Sequence, residues 1–394
     1  MFQMRAQDFG IRVGSLPRGP RNKITDVPGV LVGHATVDTP THKTGVTVIL
    51  PGPQNPFTHK LPAGVCPFNG FGKTAGLLQL QELGTLETPI ALTNTLNVGL
   101  VHDAMVEYML SRCEAEGVVL RSVNPLVCEC NDSTLNHIGE RAVGREHVFS
   151  ALASACQDFA EGDVGGGKGM ICHGLKGGIG SASRVLAFDG KTYTIGILVQ
   201  SNHGVLSDLT VSGVNIGAGL ARTLETRAAD QGSIIAVLAT DLPLDARQLA
   251  RVARRVSVGL ARLGHTPAYC TRQRRGLCSL LHRQSLRFPR GKRRAHDDGL
   301  PRGAAGPPLP GGGGVRGGGG AQLYAHRPHR HGLAGEYGLR AARALAPGRL
   351  TGQNTKLHQI SGGRYAAQAR RHLYKLHGSD PGGGGLRRGD GQHL

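Results

Sequence analysis

The chain has no tryptophan, and only nine phenylalanines and seven tyrosines in 394 residues. So few rings give little for nucleic-acid bases to stack on. None of the eight cysteines sits in a Cys-x-x-Cys pair. Cys128 and Cys130 are one residue apart and lack a second Cys or His pair at zinc spacing, so the expected state is free thiols in a reducing compartment. His102, His173 and His203 are scattered along the chain and lack metal spacing, so no metal and no cofactor is expected. The stretch from Met1 to Asn22 contains no apolar core of a secretory signal. No run approaches the ~18 apolar residues of a membrane span. The expected location is the cytoplasm, with no membrane partner.

What the chain does have is distributed unevenly. Residues 1–265 carry 23 Lys+Arg against 22 Asp+Glu, whereas residues 266–394 carry 23 against 5. The last third therefore holds nearly all of the formal charge of +19. It also holds 27 of the 61 glycines but one valine (Val315), one isoleucine (Ile360) and one phenylalanine (Phe288). Such a composition cannot build an ordinary core and reads as a disordered, low-complexity tail. The division is thus a body over 1–265, rich enough in Val, Ile, Leu and Ala for a sizeable core, and a basic Gly/Arg/Pro-rich tail over 266–394.

Within the body, apolar patterning predicts strands at 24–33 (broken by Pro28-Gly29), 45–50, 90–93, 182–188, 193–200, 209–214 and 233–240, and an extended stretch over 118–130. Helices are predicted at 73–83, 98–113, 147–159 and 245–263. The last carries Leu249, Val252, Val256 and Leu260 as an apolar stripe, with Arg247, Arg251, Arg254 and Arg255 on a solvated face. Many strands with a few long helices indicate a layered α/β body.

Several segments carry possible chemistry. Gly165-Gly-Gly-Lys-Gly169 resembles a phosphate loop, but no Ser/Thr follows the lysine and no helix opens. Close approach of two backbones explains these glycines better. Asn202 ends a strand, where its amide could donate to a developing oxyanion or cap a turn. In Cys128-Glu-Cys-Asn-Asp132, Glu129 and Asn131 share a strand face, with Asp132 at the end. Glu129 could bind a cationic substrate group or pair with an arginine. Asp241 reads as a turn residue or one leading into a helix.

Six ordered segments together are more specific than any one of them. They are Ile24-Thr-Asp-Val-Pro-Gly-Val-Leu-Val-Gly-His34, Pro89-Ile-Ala-Leu-Thr-Asn-Thr95, Gly165-Gly-Gly-Lys-Gly-Met170, Lys176-Gly-Gly-Ile-Gly-Ser-Ala-Ser-Arg184, Leu198-Val-Gln-Ser-Asn-His-Gly204 and Ala239-Thr-Asp-Leu-Pro-Leu244. This array resembles the L-aminopeptidase/D-esterase (DmpA-type) family over about residues 8–265. The resemblance implies an αββα four-layer sandwich related to ornithine acetyltransferase. It implies a precursor that cleaves itself before a serine, whose freed amine then acts as base for its own hydroxyl. It further implies hydrolysis of N-terminal residues from small peptides, amides or esters, no cofactor, and a homo-oligomer. On this reading Asn202 is the oxyanion candidate, and Glu129 with Asn131 contacts the substrate.

The chain departs from that pattern where it matters most. Lys73 stands where an acidic residue is commoner, and Lys168 replaces a small hydroxyl residue. The family's His-Gly-Ser-Gly-Asp/Glu segment is absent, and Gln273 occupies the nucleophile's place. Reading the codons of Thr271 to Ser285 one base later permits His-Gly-Ser-Gly-Glu-Val-Phe-Val-Ala-Phe-Ser-Thr-Ala-Asn, which restores that segment with its spacing. A one-base frameshift between about Gly264 and Thr271 is inferred, and it makes the tail an out-of-frame translation. As written, the chain lacks the nucleophile and is expected to be inactive, with the sheets deprived of their downstream strands. The alternative is a non-enzymatic body whose genuine basic tail binds nucleic acid nonspecifically and salt-dependently. Acetyl transfer, as in the ornithine enzymes, requires a threonine nucleophile whose motif is not visible. Sequencing the gene across codons 260–290 is expected to reveal one base gained or lost; an unaltered frame overturns the inference.

Overall fold

The structure, a computed structural model, describes residues 5–68, 72–224 and 232–264, together with the backbone of 277–282. The strands are β1 (Leu31–Asp38), β2 (Lys43–Leu50), β3 (Leu61–Pro67), β4 (Thr85–Leu86), β5 (Ile90–Asn94), β6 (Leu126–Cys130), β7 (Ile171–Cys172), β8 (Leu175–Lys176), β9 (Gly178–Phe188), β10 (Lys191–Asn202), β11 (Thr210–Val211), β12 (Val214–Asn215), β13 (Ser233–Thr240) and β14 (Leu277–His282). The α-helices are α1 (Leu77–Leu83), α2 (Val98–Ala115), α3 (Arg145–Ala153), α4 (Gly217–Leu224), α5 (Ala246–Ala253) and α6 (Val256–Arg262). One sheet has the order β1-β2-β5-β6 and a second has β4-β3-β14-β13-β10-β9.

Side-chain alternation along the strands builds the layers. In β13, Ile235, Val237 and Ala239 face the other sheet, where they meet Ile49 of β2, Ile90 and Leu92 of β5, and Leu126 of β6. The intervening Ile234, Ala236 and Leu238 face Leu249, Ala253, Val256 and Leu260 of α5 and α6. On the far side, Val46, Val48, Ala91 and Val127 pack against Val101 and Met105 of α2 and Val148 and Ala151 of α3. Helix, sheet, sheet and helix follow in order, which is the expected αββα sandwich. Strands buried on both faces read as continuous apolar runs, and β13 is buried at all eight positions.

The glycine segment is a spacer between the sheets. A Cβ at Gly166 would lie 2.4 Å from Gln200 Oε1 and 2.7 Å from the Leu92 carbonyl, and one at Gly169 would lie 2.1 Å from the Lys43 carbonyl. The Gly165 and Gly166 amides donate to Thr36 Oγ1 (2.8 Å) and Thr47 Oγ1 (3.1 Å). Close backbone approach is therefore its role here. Lys168 turns outward from the segment to Asp38 (2.7 Å) and Asp163 (3.1 Å).

Several boundaries differ from expectation. The helix over 245–263 is two helices, separated at Arg254–Arg255, where Arg255 N bonds back three residues to Val252 rather than four. The apolar stripe survives the break, and all four arginines are exposed. Asp245 caps α5 by accepting from Gln248 N at 2.6 Å. Asp241 lies in the connection between β13 and α5 and accepts from Thr194 N of β10 at 2.7 Å. Only Leu126–Cys130 of the stretch 118–130 forms a strand, and the helix expected over 147–159 runs from Arg145 to Ala153. Residues 24–26 form a 3-10 turn, and the strand begins at Leu31 after Pro28-Gly29. All six body cysteines are free; four are buried, Cys66 is half-buried and Cys156 is exposed.

β14 lies in the gap between β3 and β13. It runs parallel to β13, Ala236 to Thr240 facing Cys278 to His282, and antiparallel to β3. The expected opening of the sheet is not found at this position. Backbone pairing is indifferent to reading frame, and Leu277-Cys-Ser-Leu-Leu281 is apolar enough to occupy an interior strand. The rest of the expected tail lies outside the described residues. No helix among the described residues is long and apolar enough to cross a membrane.

Replacing Gly166→Ala forces a methyl group between Gln200 and the β5 backbone. The expected loss is roughly 1–3 kcal/mol of unfolding free energy. Urea denaturation measures it, and an unchanged midpoint contradicts the spacer role.

Candidate active site

The carboxyl end of β10 and the amino end of β13 lie side by side, with Asn202 opposite Ser233. β14 is parallel to β13, so its amino end points to this same edge. Gln273, which precedes β14 in sequence, lies outside the described residues. From the facing sheet, the end of β6 brings Asn131 to the same place. Asn131 N donates to Ser233 Oγ at 3.3 Å.

Asn202 joins the pieces. Its Nδ2 donates to the Asn131 carbonyl at 2.8 Å and to Ser233 Oγ at 3.3 Å, while its Oδ1 accepts from Ile171 N at 2.9 Å. One carboxamide therefore ties β10, β13, β7 and the loop after β6. Both of its N–H groups are engaged, and the contact to Ser233 is the longer. The Asn131 side chain is turned into its own loop, where Oδ1 accepts from Ser133 N at 3.1 Å.

Glu129 is 7% exposed, and its hydrogen bonds among the described residues come from a backbone amide and a hydroxyl. Its Oε1 accepts from Lys73 N at 3.1 Å and its Oε2 accepts a short bond from Thr95 Oγ1. Strand alternation sets it on the Val127 face, opposite Cys128 and Cys130 of the inter-sheet core. Glu129 and Asn131 thus reach the same sheet end through different neighbours. Asp132 is 1% exposed, and burial pushes its carboxyl above the ordinary range; bonds from Thr44, Asn136 and Asn94 oppose that rise. The partners that sequence reasoning missed are Ser233 and Thr95. A hydroxyl opening the apolar run Ser233-Ile-Ile-Ala-Val-Leu-Ala-Thr240 was the available signal for the first.

The scattered histidines are a correction. His102 is on α2, but His173 and His203 are neighbours, with ring centroids 5.4 Å apart. The turn between β7 and β8 folds onto the end of β10, so His173 N donates to the His203 carbonyl at 2.7 Å. Thirty residues of separation hide this contact.

Asn202→Ala removes three hydrogen bonds and leaves Ile171 N–H without its acceptor. Unfolding free energy is expected to fall by about 1–3 kcal/mol. Chemical denaturation checks this, and a neutral result shows the tie to be dispensable.

Comparison with known proteins agrees with this architecture. Residues 22–270 match Peptidase family S58. The β-peptidyl aminopeptidase BapA of Sphingosinicella xenopeptidilytica is 39% identical over 284 residues, which span 66% of this chain and 70% of that protein. The L-aminopeptidase D-Ala-esterase/amidase of Ochrobactrum anthropi, described as a prototype serine aminopeptidase with a variant of the Ntn hydrolase fold, superposes with a TM-score of 0.64. It is 38% identical, and the match covers 71% of this chain and 78% of that one. A Burkholderia sp. β-aminopeptidase is 36% identical, with a TM-score of 0.66 and coverage of 96% and 100%. The six ordered motifs, the four layers and these matches lead to one conclusion: the chain belongs to peptidase family S58.

Proposed function

We propose that the gene encodes a self-processing serine aminopeptidase, which removes N-terminal residues from small peptides, amides or esters, and that the chain as written has lost its nucleophile. The observation that carries this reading is the position of β14. An interior strand whose amino end points to the sheet end that Asn202 and Ser233 occupy is where a nucleophile preceding the strand would meet a polar cluster. With a serine at the place of Gln273, cleavage of the preceding peptide bond frees an amine. That amine takes the serine proton as the hydroxyl attacks the substrate carbonyl, and returns it to the leaving amine. Water then hydrolyses the ester. Asn202 would donate to the oxyanion, and Glu129 would hold the substrate ammonium.

The tail over 266–394 is then an out-of-frame product rather than a nucleic-acid module. The free body thiols support a cytoplasmic setting. Assembly of several copies follows the resemblance alone.

A gene with one base restored between codons 264 and 271 tests the proposal. The restored protein is expected to split into two chains at the new serine and to hydrolyse chromogenic amides of small N-terminal residues. The chain as written is expected to stay whole and inactive. Self-cleavage or hydrolysis by the chain as written, or an inert restored protein that folds, overturns the reading.

A further inference from the structure

Beside the end of β10, and apart from the groups invoked for peptide hydrolysis, three metal-binding side chains converge. Cys172 ends β7, His173 occupies the turn before β8, and His203 follows Asn202. One ligand atom from each lies within 4.8 Å of the other two. All three residues are buried, His173 completely.

The His173 ring is set in one tautomer. Nδ1 lies 3.0 Å from the Val205 carbonyl, which can only accept, so Nδ1 carries the proton. Nε2 is left with a free lone pair, and this atom is buried without a hydrogen-bond partner among the described residues. A backbone carbonyl behind one imidazole nitrogen, with the other presented to a cavity, is the usual support of a metal-bound histidine. The backbone is also arranged for it. His173 adopts φ +50, a left-handed conformation uncommon for a non-glycine residue. Gly204 admits the ring, since a Cβ there would lie 2.5 Å from it.

We infer that Cys172, His173 and His203 form a binding site for one zinc-like cation, with a fourth position for water. One thiolate and two imidazoles suit zinc, with bonds of about 2.3 Å to sulfur and about 2.0 Å to nitrogen. Such bonds set ligand atoms about 3.3–3.6 Å apart, so ligand atoms within 4.8 Å of one another close by at most ~1.5 Å through side-chain rotation. Binding breaks the Cys172 S–H bond, forms a sulfur–metal bond and releases the proton to water. Both imidazoles bind neutral. The Lys176 ammonium is turned to the carbonyls of Gly167, Met170 and Gly177. The site does not depend on the peptidase reading or on the reading frame after Gly264.

The test uses the full-length chain, stripped with chelator and titrated with Co2+, then Zn2+. One Co2+ per chain is expected to produce a thiolate-to-cobalt charge-transfer band, abolished by one equivalent of Zn2+. Cys172→Ser is expected to remove the band while leaving the far-ultraviolet dichroism unchanged, and His173→Gln to weaken Zn2+ binding tenfold or more. Zinc-edge X-ray absorption of the wild-type chain needs no variant, and one sulfur with two imidazole nitrogens is expected. The histidines of residues 266–394 offer an independent source of weak binding. Zinc held by nitrogen and oxygen alone, a band that survives Cys172→Ser, or no band at all overturns the site.

Discussion

Two sheets, each buried on both faces, leave the backbone no polar side from which water could complete its hydrogen bonds. Every strand between β3 and β9 in the larger sheet must therefore find its partners in neighbouring strands. This is why the gap between β3 and β13 is decisive. With β14 in place, the ladder from β4 to β9 is continuous, and three apolar layers follow from simple alternation: one between the sheets and one under each pair of helices. Gln200 is buried between the sheets and still keeps its amide occupied, donating to the Thr93 carbonyl of the opposite sheet at 3.0 Å.

The same constraint concentrates chemistry at the sheet ends. Apolar side chains fill the interior, so polar groups gather where β10, β13 and β6 terminate. Asn202, Ser233, Asn131 and Glu129 meet there because strand ends from both sheets coincide, not because they are close in sequence. The glycines of 165–169 make that coincidence possible by letting the sheets and the connecting chain approach within backbone contact. The histidine and cysteine trio arises in the same way, from a hairpin folded over the end of β10.

Much of the layered core was legible in periodicity. The strand at Ser233–Thr240, the start of α2 at Val98 and the stripe Leu249, Val252, Val256 and Leu260 needed only apolar spacing. The site was legible in part. Asn202, Glu129 and Asn131 stood out as polar residues in apolar surroundings, but their partners Ser233, Thr95 and the amide of Ile171 lie between 31 and 102 residues away or in another strand. Cys172 gave no metal signal because its neighbour His173 belongs to a turn, where spacing rules for helices and strands do not apply.

By itself, then, the sequence determined the alternation that sorts side chains into layers, the glycines that permit close approach, the family motifs, and the abrupt change of composition after His265. Those properties are local: each depends on a residue's volume, polarity or backbone freedom. Only the tertiary structure decided which strand ends share an edge, that Asn202 ties β10 to β13 and to the loop after β6, that β14 occupies the interior gap, and that His173 and His203 are neighbours. These outcomes depend on pairing between distant segments, and the energy of such pairing resides in shared burial and backbone hydrogen bonds that no single segment carries.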